Sequence, residues 1–188
     1  MTYFDKNALK LSHEYMKENV RAGDTIIDAT AGKGRDTLLL SRLVGDVGRV
    51  FAFDVQKEAL DQAEVLLREN EINNAVLVHD SHHKMKDYVE SAHGVVFNLG
   101  FLPGSDHKVF SHPETTIKAI DAALDIIDPE GFVTVCSYYG GDTGFEERDA
   151  LMNYLEGLDQ MRYTVIMQSF INRKGCPPIF FVIEKNRK

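Results

Sequence analysis

The sequence predicts an α/β fold: a seven-stranded, mainly parallel sheet with helices on both faces and an antiparallel hairpin at its C-terminal end. Three observations carry this. From residue 25 to residue 158, short apolar runs rich in β-branched residues alternate with stretches of helical spacing, and such alternation builds parallel strands joined by crossover helices. The first strand passes into its helix through a glycine turn, Gly32-Lys33-Gly34. Near the C-terminus, residues 163–170 and 179–185 are extended, apolar runs joined by only residues 171–178. That link has no room for a crossover helix, so the two runs must pair as a hairpin.

Taken in order, residues 7–19 form a helix with Ala8, Leu11, Tyr15 and Met16 near one face. Arg21-Ala22-Gly23-Asp24 ends it and leads into the first strand, Thr25-Ile26-Ile27. Residues 35–44 are the first crossover helix, 49–53 the second strand, 57–70 the next helix and 76–78 the third strand. Residues 84–90 read as helical and 94–97 as the fourth strand. A long helix over 112–127 begins near Pro113, with Glu114 favourably placed in its first turn. Residues 128–131 are a turn, 132–137 the fifth strand and 145–158 the last helix. No shift in composition marks a boundary, so all 188 residues are expected to form one domain.

Hydrophobic content of 44% and charged content of 27% are ordinary for a globular domain with a real core. No apolar run is long enough to span a bilayer, and the start, MTYFDKNALKL, lacks the apolar core of a secretory signal. A cytoplasmic protein without membrane contact is expected. Cys136 lies in an apolar run and reads as a buried small hydrophobe, and Cys176 as a loop residue. A formal net charge of −8 argues against broad, non-specific nucleic-acid binding. It leaves room for a compact RNA on a local basic patch. Of the seven histidines, His79, His82, His83, His107 and His112 fall near the strand ends, but without metal-ligand spacing. No metal is expected.

In an open α/β sheet, ligands bind beyond the carboxyl ends of the strands. The first strand ends in Asp28-Ala29-Thr30, followed by Gly32, Gly34, Arg35, Asp36 and Thr37. The glycines let backbone approach a ligand, and the new helix directs free N–H groups into the same crevice. Thr37 stands where a dinucleotide fingerprint has its third glycine. The second strand ends in Asp54, two residues before Gln56, and a carboxylate there can accept both ribose hydroxyls. Acid-ended strand, GxG turn and second acid-ended strand together point to S-adenosylmethionine (SAM). The plain alternative is a pair of turn glycines beside two solvated acids. Asp80, Ser81 and His82 follow the third strand. Asp80 and Ser81 are placed either to read an adenine edge or to cap a helix.

The fourth strand runs into Asn98-Leu99-Gly100-Phe101-Leu102-Pro103. Amine methyltransferases often carry Asn/Asp-Pro-Pro-aromatic at this position. Here the Asn and the aromatic are present and the prolines are not. With FNLGFLPGSDH (97–107), DATAGKGRDT (28–37), FAFDVQ (51–56), HDSH (79–82), HPETTIKAI (112–120) and NRKGCPPIFFVIEK (172–185), the chain resembles the YtqB-like rRNA methylase family over almost its whole length.

That resemblance implies the class I SAM-dependent methyltransferase (Rossmann-like) fold, with SAM as methyl donor. It also implies tRNA as partner. The reaction would methylate the 5-aminomethyl group of wobble (2-thio)uridine in the anticodon arm. In that reading Asn98 and His82 also contact the cofactor, Asn98 orients the amine, and the backbone of residues 99–101 supplies acceptors. Asp106 or His107 takes the proton, unless both only cap the loop, and Phe101 and Tyr139 stack on the uracil. Leu99, Gly100, Leu102 and Pro103 would line the substrate side. One departure is evident: the family often has Tyr-x-Gly-His after the fifth strand, whereas this chain has Tyr138-Tyr139-Gly140-Gly141-Asp142. The alternative reaction is methyl transfer to rRNA or to a small-molecule amine. An NAD(P)-dependent oxidoreductase is disfavoured by Thr37 and the terminal hairpin, and a non-catalytic RNA-binding module by the intact glycines and Asp54. The hairpin or the first helix offers a surface on which two copies could pair as a homodimer.

Overall fold

The computed structural model describes Tyr3 and residues 5–99, 113–139 and 144–187. Among these residues five α-helices and seven strands follow in the order α1 (Ala8–Asn19), β1 (Thr25–Asp28), α2 (Arg35–Val44), β2 (Arg49–Asp54), α3 (Lys57–Glu69), β3 (Ala75–His79), β4 (Ala92–Leu99), α4 (Pro113–Ile126), β5 (Ile127–Ser137), α5 (Gly144–Glu156), β6 (Tyr163–Gln168) and β7 (Ile179–Lys185). The strands form one sheet in the order β3-β2-β1-β4-β5-β7-β6. β1 to β5 run parallel, and β7 is antiparallel to both β5 and β6. This is the class I methyltransferase architecture, with the C-terminal hairpin that its short link requires.

Alternation along each strand divides the core. Ile26, Val96, Phe132 and Val50 face α1 and α2, where they meet Met16, Leu40 and Val44. Their neighbours Ile27, Phe97 and Val133 turn to the opposite face, under Ile120 and Ala123 of α4 and Leu151 and Leu155 of α5. Central parallel strands covered on both sides are apolar almost throughout. Leu60 of α3 joins Ala31 and Ala52 in a smaller cluster.

Local chemistry sets the ends of the elements. Asn7 caps α1 by accepting the Lys10 N–H at 2.8 Å. Gly34 opens α2 at φ +80°, and a Cβ there would lie 2.8 Å from Ala63 Cβ on α3. Both the left-handed backbone and the α2–α3 contact therefore demand glycine. Two sequence expectations are revised. Residues 82–87 form a 3-10 turn rather than the helix expected over 84–90. The turn at 128–131 is absorbed into β5: Ala92 pairs with Ile127 and Gly94 with Phe132, and Glu130 bulges at φ +66°. Among the described residues no helix is long and apolar enough to cross a membrane.

Asp28, the last residue of β1, is wholly buried. It accepts the Thr37 hydroxyl at 2.7 Å and the Thr30 N–H at 3.2 Å. Burial, and then the charge of Asp36, push its carboxyl up to about 7.

Two predictions follow from these positions. Gly34→Ala should lower stability by about 2 kcal/mol, read as a shift in urea midpoint. Folded Asp28 keeps its proton at pH values where the unfolded chain has lost it. Its contribution to stability is therefore full below the ordinary carboxylate range and falls as pH rises from about 4 to about 7. Asp28→Asn should remove that slope, so the variant gains on the wild type as pH rises. Parallel urea curves at all pH values would contradict it.

Candidate active site

The crevice lies beyond the carboxyl ends of β1, β2 and β4, and its floor is the loop from Ala29 to Gly34. Backbone bonds knit this loop to its surroundings. Ala29 N–H donates to Val96 O and Ala31 N–H to Phe53 O, both at 2.9 Å. Gly32 N–H donates to Asp54 Oδ2 at 2.8 Å, and Gln56 N–H to Asp54 Oδ1 at 2.9 Å. Asn98 N–H donates to Thr30 Oγ1 at 2.7 Å. One half-buried carboxylate thus ties the first turn to the second, and one hydroxyl ties the first turn to β4. Thr37, in place of a third glycine, holds Asp28 instead of opening space.

His82 closes one side. Its Nδ1 lies 3.0 Å from Ala29 O, and its ring meets Phe97 edge-on at 5.7 Å. Because a carbonyl can only accept, Nδ1 carries the hydrogen. Burial holds the ring's pKa below the usual histidine value, so Nε2 is a bare acceptor. It is buried and has no hydrogen-bond partner among the described residues. Asn98 Oδ1 is a second buried acceptor in the same condition. The other end of that amide, Nδ2–H, donates to Asp36 Oδ2.

Other expected site residues take less central roles. Arg35 is exposed on the first turn of α2, and Gln56 is half-buried. Asp80 accepts Ser81 N–H at 2.7 Å, Tyr88 O–H at 2.9 Å and the Lys84 ammonium at 3.2 Å. These donors, Lys84 foremost, hold its carboxyl down at about 2. Neither Asp80 nor Ser81 caps the 3-10 turn through its side chain. Leu99 is packed in the core, 4% exposed, and its carbonyl accepts Tyr138 N–H at 3.0 Å; its side chain supports the strand end. Tyr139 is half-buried, with Phe145 edge-on at 5.7 Å and the Arg148 guanidinium 5.0 Å from its ring centre. Gly100, Phe101, Leu102, Pro103, Asp106, His107, Gly141 and Asp142 lie outside the described residues.

The sequence did not single out His13, whose Nε2 is 2.7 Å from Asp36 Oδ1. In the helical pattern of α1 it is one more polar residue beside the buried stripe. Only the docking of α1 against the sheet brings it to α2.

The crevice is therefore lined by acceptors: the carboxylates of Asp36 and Asp54, Asn98 Oδ1 and His82 Nε2, with Asp28 buried beneath its floor. It fits a ligand that is cationic and rich in donors. An ammonium, a sulfonium, ribose hydroxyls and an adenine amino group together meet that description, so these residues fit SAM.

Comparison with known proteins places the fold in a family. Residues 50–184 match the family model described as "Putative rRNA methylase". A tRNA (mnm5s2U34)-methyltransferase, chloroplastic, of Arabidopsis thaliana is 32% identical, over 96% of this chain and 70% of that protein. Two solved structures each cover 96% of this chain, and 98% of each of those chains is matched. One, from Clostridium thermocellum and of the same description as the family, is 44% identical with a TM-score of 0.94. The other, a methyltransferase by its description, from Streptococcus mutans and in complex with SAH, is 36% identical with a TM-score of 0.88. With the fold, the crevice and these matches in agreement, the chain belongs to the rRNA methylase family of SAM-dependent methyltransferases.

Proposed function

We propose that this enzyme methylates the amine of a 5-aminomethyl group on wobble (2-thio)uridine in tRNA, giving the 5-methylaminomethyl form. The observation that carries the proposal is Asn98 at the end of β4, with its side-chain N–H on Asp36 and its carbonyl oxygen buried without a partner among the described residues. The described function of the Arabidopsis relative supports the tRNA substrate. The anticodon arm is the part of the RNA that must reach the crevice.

SAM, when bound, supplies a methyl group made electrophilic by the sulfonium. Asp54, already fixed by two backbone N–H groups, is placed to accept ribose hydroxyls. Asp36 and Asp54 supply the negative field that a cationic donor requires, above the buried Asp28. His82 Nε2 is available to an adenine or ribose donor. On the substrate side, an aminomethyl group resembles lysine, with a free pKa up to about 10, and only its neutral form is a nucleophile. Asn98 Oδ1 can accept an amine N–H and aim the nitrogen lone pair at the methyl, and such alignment supplies much of the rate in a direct displacement. Tyr139, edge-on to Phe145 and under Arg148, offers a ring on which the uracil can stack. Asp106 or His107 is proposed to take the released proton.

The test is methyl transfer from labelled SAM to bulk tRNA from cells lacking this protein, followed by nucleoside mass spectrometry. One methyl should be gained on 5-aminomethyl-2-thiouridine, and product should fall at least about 100-fold in Asn98→Ala with SAM affinity kept. Asp54→Ala should lose SAM binding itself. SAM binding without any tRNA product would leave the methyltransferase and remove the substrate.

A further inference from the structure

His13 plays no part in the reaction as described above, yet it stands at the end of a short chain of bonds that reaches Asn98. Its Nε2 meets Asp36 Oδ1 at 2.7 Å, and Asp36 Oδ2 accepts the Asn98 Nδ2–H. Asp36 is 9% exposed, so its carboxylate relies on protein partners in place of water. Among the described residues each oxygen serves one partner.

The two ends of an Asn side chain are similar in size and opposite in hydrogen bonding, so the partner decides which way the amide turns. A carboxylate accepts and cannot donate. Asp36 therefore takes the NH2 end and forces the carbonyl end the other way, where Oδ1 is buried without a donor among the described residues. Leaving such an acceptor unmet costs about 1–3 kcal/mol, and a ligand N–H relieves it. Without Asp36 the amide could turn over and present a donor, which repels an amine N–H.

His13 holds the carboxylate from the outer side, and α1 holds His13. Ala8 and Leu11 pack against Cys136, Phe180 and Val182. Tyr15 sets its ring edge on Phe132 at 5.2 Å and donates its hydroxyl to Glu184 Oε1 at 2.7 Å. The first helix is thereby fixed across β5 and β7, with His13 over the start of α2.

We infer that His13 and Asp36 are positioning residues: a pair anchored by α1 that locks the Asn98 amide with its carbonyl oxygen turned toward the methyl-accepting amine. The inference rests on the amine-methylation reading for its purpose, and on the bonds above for its geometry.

The test combines two readouts on the full-length protein. Nitrogen-15 NMR of the Asn98 side-chain amide reports the lock directly, and steady-state kinetics with tRNA reports its use. The amide protons should be protected from exchange in the wild type and in His13→Gln, whose side-chain N–H can replace the imidazole donor. Protection should be lost in Asp36→Ala and reduced in His13→Ala. The kcat should fall about 100-fold in Asp36→Ala and about tenfold in His13→Ala, stay near the wild-type value in His13→Gln, and leave KM for tRNA nearly unchanged. His13→Ala is the more conservative change, since the His13 side chain is 30% exposed, so it serves if Asp36→Ala does not fold. An Asn98 amide equally protected in both alanine variants would overturn the inference. So would a loss of thermal stability with normal kcat, the mark of a simple tether between α1 and α2. A wild-type enzyme that methylates no tRNA amine would sink the proposed substrate, while the amide signals would still decide the lock.

Discussion

The crevice depends on one carboxylate. Asp54 accepts Gly32 N–H from the first turn and Gln56 N–H from the second. Gly32 lies in the left-handed region at φ +50°, so the loop that carries it is not one the chain would hold by local preference alone. A charged acceptor strengthens each of these bonds to roughly twice a neutral one. Once the loop is set, Thr30 is in place for the β4 backbone, Gly34 can close on Ala63, and α2 starts where Asp36 can reach Asn98. Those contacts cross three strands, and all of them follow from the backbone path of six residues.

The fold was legible because each of its determinants is local. The strands are short β-branched runs, the glycine turn sits between strand and helix, and the eight-residue link at 171–178 forces a hairpin. The revised elements show where locality fails. Residues 82–87 wind as a 3-10 turn because Lys84 N–H closes on Ser81 O and Tyr88 N–H on Met85 O, while His82 and Met85 are held inward by the fold. The turn expected at 128–131 is instead drawn into β5 as a bulge, because strand pairing flanks it on both sides.

The site was legible only in part, for a related reason. Asp28, Asp54 and Asn98 announce themselves as polar residues ending apolar runs. What each one bonds to does not appear in the sequence. Asp80 shares the pattern, yet Lys84, Tyr88 and Ser81 occupy its oxygens. His13 lies in a helix 23 residues before Asp36, and no spacing rule connects them. Leu99 sits in the middle of the reaction segment by sequence and in the core by structure, because strand alternation continues to the end of β4 and turns every second side chain inward.

Under the proposed methylation of an aliphatic amine, which is far more basic than an aromatic one, an amide suits residue 98 better than a carboxylate. A carboxylate against the substrate amine would hold it as ammonium, since an opposite charge at hydrogen-bond distance favours the protonated form. The nitrogen would then have no lone pair to give. A carbonyl oxygen can orient the same N–H without that cost. Asp36 keeps its negative charge one amide away, where it pulls on the Asn98 N–H and makes the carbonyl a better acceptor through polarisation. In the proposed reaction an acidic crevice and a neutral nucleophile are compatible because Asn98 stands between them.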